Sequence, residues 1–414
     1  MNFATKPLKT IPNVSRWNWK AEFFNNRNHI GDPVAVQDWG RGSRNFSKNW
    51  GYGSPAAGVN ADNFSTRLTT RRYFSAGHHQ IQTTADDGIK VIINNSEIID
   101  NESQASVRHT GLFDAGRGGY FDVVVDYKEY SGAANLKFNT QKGNPYHGNI
   151  FGKNRFGHTL KHSIAIDRVD NDYSKFVSAN KKTWLVIHGM DNKPSSPDVK
   201  LLADAINDYE EGDQVFALNW SSAARSYINP NIGGSWINTA AKWATDKLTS
   251  WGISGSNINL VGHSLGAYVS AEIAKNISGG VDKLLAFDPA TKNVGLGGYD
   301  SESVNFAAHS EHSWAFYTSS LGNSARATTA DDAFSIGFGF NQPIDNHGNG
   351  LDLFASMLDT NRNDKVSSWF KLDRMGQRPW KENQLNENAG FSPYRSIRKN
   401  EGRNEAKQEW VKDK

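Results

Sequence analysis

The sequence predicts a multidomain chain, with an all-β sandwich first and an α/β domain with a mostly parallel sheet after it. Three observations carry this. From Trp17 to about Phe138 short alternating runs are separated by Gly, Asn and Asp turns, with no useful helical period. Beyond about residue 160 strands alternate with helices. Within that second part, Ile258-Asn-Leu-Val-Gly-His-Ser-Leu-Gly-Ala267 reads as a buried strand, a sharp turn and a helix.

The 414 residues suffice for two domains with ordinary cores. A net charge of +3 is near neutral for this length and implies no nucleic-acid partner. The chain has no cysteine, which excludes a disulfide scaffold, a thiol nucleophile and cysteine-ligated zinc. The first residues lack the apolar core of a signal peptide, and no run approaches a membrane span. The expectation is a soluble chain at the cell surface or outside it, exported by a route without this kind of leader or with its leader removed.

In chain order, Gln80-Ile-Gln-Thr-Thr, Ile89-Lys-Val-Ile-Ile and Tyr120-Phe-Asp-Val-Val-Val-Asp-Tyr are strands of the sandwich, assigned to residues 1–145. From about Gln141 to Asn154 the chain, with Lys-Gly-Asn-Pro-Tyr-His-Gly-Asn, is polar, glycine-bearing and without period, so a linker is expected here and assigned to 146–160. The second domain spans 161–385. Ser163–Asp167 is an early strand, and Thr183-Trp-Leu-Val-Ile187 a continuous apolar strand of the buried parallel kind. Val199–Tyr209 is helical, Gln214–Trp220 is a strand, and Thr239–Trp251 is an amphipathic helix. Val281–Phe287 is the strand after the sharp turn, and Ser303–Ala308 a further one. Trp369–Trp380 is a candidate last strand, and 386–414 a polar tail.

In order along the first part, Trp19-Lys-Ala-Glu-Phe-Phe-Asn-Asn, Asp62-Asn-Phe-Ser-Thr-Arg, Ala76-Gly, Thr83-Thr-Ala-Asp-Asp-Gly-Ile-Lys-Val and Val125-Asp-Tyr-Lys-Glu-Tyr-Ser-Gly-Ala-Ala resemble the protective-antigen-type β-sandwich of bacterial toxins, β-glycosidases and fungal adhesins. The adhesin branch holds calcium and sugar through an adjacent Asp pair. The resemblance thus implies a glycan ligand and calcium at Asp86 and Asp87. The residues alone also fit a solvated turn, since Asp-Gly is a strong turn signal, and two carboxylates fall short of the six to eight oxygens calcium takes.

The chemistry centres on Gly262-His263-Ser264-Leu265-Gly266. A G-x-S-x-G turn between strand and helix exposes its serine at the apex, and the helix N-terminus offers N–H groups to a developing oxyanion. A serine hydroxyl needs an imidazole to take its proton and a carboxylate to orient that imidazole. In an α/β-hydrolase sheet both follow the serine in sequence. Asp288, directly after Leu284–Phe287 and cut off by Pro289, is the candidate acid. Three histidines lie downstream, at His309, His312 and His347. His347, on a loop opening a helix, has the arrangement this fold uses. Leu265 and Met190, the latter after Gly189, are the expected oxyanion donors, and His188 is expected to be structural.

Thr183-Trp-Leu-Val-Ile-His-Gly-Met, Val215-Phe-Ala-Leu-Asn-Trp, Asn259-Leu-Val-Gly-His-Ser-Leu-Gly-Ala, Phe287-Asp-Pro-Ala and Asn346-His347 are similar to the pancreatic-lipase-type family of lipases and phospholipases. The resemblance implies ester hydrolysis through an acyl-enzyme, with Ser264, Asp288 and His347 as triad and no cofactor. It also implies a lipid ester or phospholipid substrate, with peripheral contact to a lipid surface. Only 59 positions separate Asp288 from His347, which leaves little room for a large lid and favours phospholipid or small esters over triglyceride. An esterase of acylated polysaccharides and a non-catalytic carbohydrate-binding adhesin are the alternatives.

Overall fold

The structure is a computed structural model. The structure describes residues 18–40, 45–102, 104–153, 156–225, 233–292, 296–338, 343–359, 370–376 and 394–400. The chain divides into two compact units, one of residues 1–145 and 173–180, the other of 146–172 and 181–414.

In the first unit the strands are β1 (Trp19–Phe24), β2 (Ala35–Trp39), β3 (Phe46–Gly51), β4 (Phe64–Phe74), β5 (His78–Ala85), β6 (Ile89–Ile93), β7 (Ser96–Asn101), β8 (Val107–Asp114), β9 (Gly119–Glu129) and β10 (Ala134–Lys142). One sheet has the order β2-β1-β4-β9-β6-β7, with every pairing antiparallel. Alternation decides which side chains go inward: β5 buries His79, Ile81, Thr83 and Ala85 and turns the others outward. Phe23, Leu68 and Val125 of that sheet share one core with Ile81, Leu136 and Phe138 of the other, and Trp19 meets Phe138 edge to face at 5.3 Å.

The chain then forms β11 (His147–Lys153) and β12 (Thr159–Arg168) in the second unit, and returns to the first as β13 (Val177–Ser178). There β13 pairs antiparallel with β8, completing the sheet order β13-β8-β5-β10-β3.

Residues 147–153 are therefore strand and not linker. Gly148 and Gly152, read from sequence as loop markers, are packing positions. A Cβ at Gly148 would lie 2.4 Å from the Trp243 indole nitrogen, and one at Gly152 would lie 2.6 Å from the Trp236 ring. The two tryptophans need bare backbone to lie against.

The second unit continues with β14 (Thr183–Ile187), α1 (Pro197–Tyr209), β15 (Gln214–Asn219), α2 (Ile237–Ser250), β16 (Ile258–His263), α3 (Leu265–Asn276), β17 (Val281–Phe287), β18 (Ser310–Tyr317), α4 (Ser324–Ala327), β19 (Asp332–Phe338), α5 (Pro343–Leu358) and β20 (Tyr394–Asn400). Its sheet order is β11-β12-β15-β14-β16-β17-β18-β19-β20. Pairings from β15 through β14, β16, β17 and β18 to β19 are parallel. Those at the two margins are antiparallel.

Both β14 and β16 are buried along their whole length, as strands covered on two faces must be. Trp184, Val186, Val261, Leu285 and Trp314 form one core with Val199, Leu202 and Ile206 of α1 and Leu351, Phe354 and Leu358 of α5. The opposite face meets α3, whose Ala267 and Ser270 approach Gly262.

Three expectations for the C-terminal half need correction. Ser303 ends a short 3-10 helix, 306–309 are turn, and the strand begins at Ser310. Within Trp369–Trp380 the described residues 370–376 hold a 3-10 turn at Leu372–Arg374 and no strand. The last strand is β20, inside the segment read as a polar tail, and it pairs antiparallel with β19. Its Tyr-Arg-Ser-Ile-Arg-Lys-Asn is the charged composition that edge strands carry. The rest of 386–414 and residues 377–385 lie outside the described residues. Among the described residues no helix is long and apolar enough to cross a membrane.

Candidate active site

Parallel neighbours bring their carboxyl ends together, about 4.8 Å from strand to strand. In register Ile187 stands beside Gly262, His263 beside Phe287, and Phe287 beside Phe316. The residues that follow each strand end therefore share one rim: Gly189 and Met190 after β14, Ser264 after β16, Asp288 after β17, and Thr318 and Ser319 after β18.

Ser264 has φ 55° and ψ −120°, a conformation that L-residues rarely adopt. It sits between β16 and α3, 3% exposed, and its N–H donates to the Phe287 carbonyl at 2.9 Å. Gly189 faces it closely, since a Cβ there would lie 2.8 Å from Ser264 Cβ and 3.3 Å from Ser264 Oγ. Met190 follows Gly189 directly, and Leu265 opens α3. Both candidate oxyanion donors thus belong to backbone adjoining Ser264.

Asp288 is fully buried, with φ 43°. A buried carboxylate is tolerable only when its lone pairs are filled. Oδ1 accepts from Thr318 N–H at 2.8 Å and Ser319 N–H at 3.2 Å. Oδ2 accepts from the Ser319 hydroxyl and from His347 Nδ1 at 2.6 Å. Because a carboxylate only accepts, the Nδ1 atom carries the proton in the neutral ring and Nε2 keeps its lone pair.

His347 is the fifth residue of α5, so it stands inside the helix and not on the loop before it. Pro343 opens that helix, where its missing N–H costs nothing. His312 stands beside Lys283 at the start of β17, and His309 precedes β18 altogether. Both lie toward the far end of the strands from Asp288.

His188 and His263 are buried imidazoles. Burial pushes His188 down to about 4, and its ring accepts from the Trp220 N–H at 3.3 Å and donates to the Gly189 carbonyl at 2.8 Å. It is a neutral structural histidine. Burial, with the neighbouring His347 ring adding to it, pushes His263 down to about 3. Sequence reasoning overlooked both His263 and Ser319. A buried acid that needs several donors was the one available signal for a residue such as Ser319.

In the first unit, Asp86 and Asp87 fall between β5 and β6, so the turn crosses between sheets. Asp86 accepts from the Tyr127 hydroxyl at 2.6 Å and the Asn135 N–H at 2.9 Å, and Asp87 accepts from the Tyr130 N–H at 2.7 Å. The Tyr127 hydroxyl also contacts Glu129, which burial and then the Asp86 and Asp87 charges raise to about 7. Among the described residues no group of three or more His, Cys, Asp or Glu is placed to hold a metal ion.

Family comparison matches residues 18–148 to the PA14 domain and residues 158–296 to the Lipase family. The Lipase match contains Met190, Ser264, Leu265 and Asp288, and His347 lies beyond its end. A phospholipase A1 of Solenopsis invicta is 28% identical over 29% of this chain and 38% of its own length. A pancreatic triacylglycerol lipase of Myocastor coypus is 27% identical over 30% of this chain and 28% of its own length. A phospholipase A1 of Vespula maculifrons is 30% identical over 25% of this chain and 40% of its own length. The chain thus spans well under half of these relatives. Among solved structures, a PA14 sugar-binding domain from an RTX adhesin is 15% identical, with TM-score 0.25, over 36% of this chain and 96% of its own. The chain carries a PA14 domain followed by a domain of the lipase family.

Proposed function

We propose that the protein is a serine ester hydrolase of the lipase or phospholipase type, with an α/β-hydrolase catalytic domain and a glycan-targeting sandwich. The observation that carries this is the 2.6 Å bond from His347 Nδ1 to the buried Asp288, at the rim where Ser264 occupies its strained turn. In the proposed reaction Ser264 Oγ attacks the ester carbonyl and gives its proton to His347 Nε2. The contact this reading adds is a hydrogen bond from Ser264 Oγ to that nitrogen. Leu265 N–H and Met190 N–H receive the oxyanion. The leaving alcohol takes the proton from His347, and water then cleaves the acyl-Ser264 ester by the reverse sequence. No metal or cofactor enters these steps.

The named activities of the relatives favour lipid esters as substrates, and the short Asp288–His347 interval favours phospholipid or small esters. The PA14 match supports sugar binding by the first unit, and this part of the proposal does not depend on calcium at Asp86 and Asp87.

A fluorophosphonate probe tests the enzyme reading: wild type is labelled and Ser264→Ala is not. Absence of label on both would leave the adhesin alternative. A glycan array of the full-length Ser264→Ala chain, with and without chelator, tests sugar and calcium together. Release of acetate or fatty acid from a glycan, and not from phospholipid, would identify an esterase of acylated polysaccharides.

A further inference from the structure

We propose that Ser319 is a positioning residue of the ester-hydrolysing site, holding the Asp288 oxygen that orients His347; this rests on the reading of Ser264, Asp288 and His347 as the reacting set. The four donors on Asp288 fall two to each oxygen and differ in kind. Both bonds to Oδ1 come from main chain, the N–H groups of Thr318 and Ser319. Oδ2, which takes the His347 proton donor, has the Ser319 hydroxyl as its second partner. Side-chain identity at 319 is therefore what completes Oδ2.

The hydroxyl is itself oriented. Leu321 N–H donates to Ser319 Oγ at 3.1 Å, occupying a lone pair and leaving the proton to point at Asp288. Ser319 Oγ also stands 3.4 Å from His347 Nδ1, so it touches both members of the pair. Gly322 closes the other side: a Cβ there would fall 2.0 Å from Asp288 Oδ1. The carboxylate is boxed by Gly322 and fixed by main chain, and its imidazole-facing oxygen is set by one side-chain hydroxyl.

A serine that merely ties the 318–322 loop would affect folding alone. Positioning predicts more. An imidazolium formed during acyl transfer is stabilised only if Oδ2 stays aimed at Nδ1–H, so losing the hydroxyl lowers kcat and leaves KM nearly unchanged.

The test compares full-length wild type, Ser319→Ala and Ser319→Thr on a short-chain ester. Each is also melted, and its low-field proton resonance for His347 Nδ1–H is recorded. The expected result is a kcat for Ser319→Ala lower by roughly tenfold or more with KM within about twofold. The low-field resonance shifts or broadens in Ser319→Ala, and Ser319→Thr restores both readouts. If Ser319→Ala does not fold, Ser319→Cys, of similar volume and a weaker donor, takes its place in the same comparison. An alanine or cysteine variant with wild-type kcat and an unmoved resonance overturns the proposal. So does a loss that threonine fails to recover in proteins that melt alike. The function reading fails separately: a wild type that never reacts with fluorophosphonate sinks that reading, while the His347 resonance in Ser319→Ala still decides the positioning claim.

Discussion

His263 Nε2 donates a hydrogen bond to the main-chain carbonyl of His347 at 2.8 Å, and the two imidazoles lie 4.7 Å apart. One histidine is the covalent neighbour of Ser264 and the other is the partner of Asp288. The bond therefore ties the serine turn to the start of α5. Since a carbonyl only accepts, Nε2 must carry the proton, and the lowered proton affinity of His263 keeps the ring neutral beside His347.

His263→Phe keeps a ring and removes the donor. The expected outcome is a loss of about 1–2 kcal/mol in stability, from the lost buried hydrogen bond, and a kcat lower by roughly tenfold as the two halves of the site drift apart. Denaturant titration and steady-state kinetics on one preparation measure both. A stable variant with unchanged kcat would show that the tie is not needed for turnover.

Gly322→Ala pushes a methyl into the space of the Asp288 carboxylate, 2.0 Å from Oδ1. Overpacking of this kind costs about 1–3 kcal/mol, and the displaced acid is expected to cut kcat/KM by roughly a hundredfold. Thermal melting and ester turnover check the two effects.

Ser264→Gly and Ser264→Ala both remove the hydroxyl, yet only glycine adopts φ 55° and ψ −120° at ease. The glycine variant is expected to be more stable than the alanine variant by about 1 kcal/mol or more, with neither turning over ester. Equal stability would mean that the turn stores no strain.

Buried histidines make the fold acid-sensitive. His109 and His188 are pushed down to about 4 and His263 to about 3, in each case chiefly by burial. The unfolded chain, with histidines near 6.5, binds more protons below that pH. Stability is thus fully present above about pH 6.5 and falls as the pH drops toward 4, by about 1.4 kcal/mol per pH unit for each histidine. Melting from pH 7 to 4 measures this, and His109→Leu is expected to flatten the slope of the sandwich transition by one proton.

Gly148→Ala and Gly152→Ala test the packing of β11. Each adds a methyl inside the radius of a tryptophan ring, 2.4 Å and 2.6 Å from the nearest ring atoms. A loss of about 1–3 kcal/mol in stability is expected. Chemical denaturation checks it, and no loss would show that Trp243 and Trp236 can yield.

The legible parts of the sequence were those where one physical demand leaves one pattern. A buried parallel strand must be apolar throughout, so Thr183–Ile187 and Ile258–Val261 stood out, as did the glycine-flanked turn at Ser264. Asp288 was visible because it ends such a strand before a proline. The choice among His309, His312 and His347 depended on which strand end each would reach, and residue type alone does not encode that. Ser319 gave no local signal, because a serine after a strand serves as readily in any turn. The junction was misread for a related reason: glycine marks flexibility and close packing with the same letter, and Gly148 and Gly152 serve the second purpose. At β20 the charges that protect an edge strand looked like a solvated tail.

The excursion of residues 173–180 makes the sandwich a discontinuous unit. Cutting the chain once at the end of β10 strands β13 on the other fragment and uncovers β8 where Val177 and Ser178 pair with Thr110 and His109. Neither gene fusion nor limited proteolysis can lift out the complete first unit with a single crossover or a single nick. A complete first unit therefore has to carry residues 173–180 back to β8 as a separate short peptide.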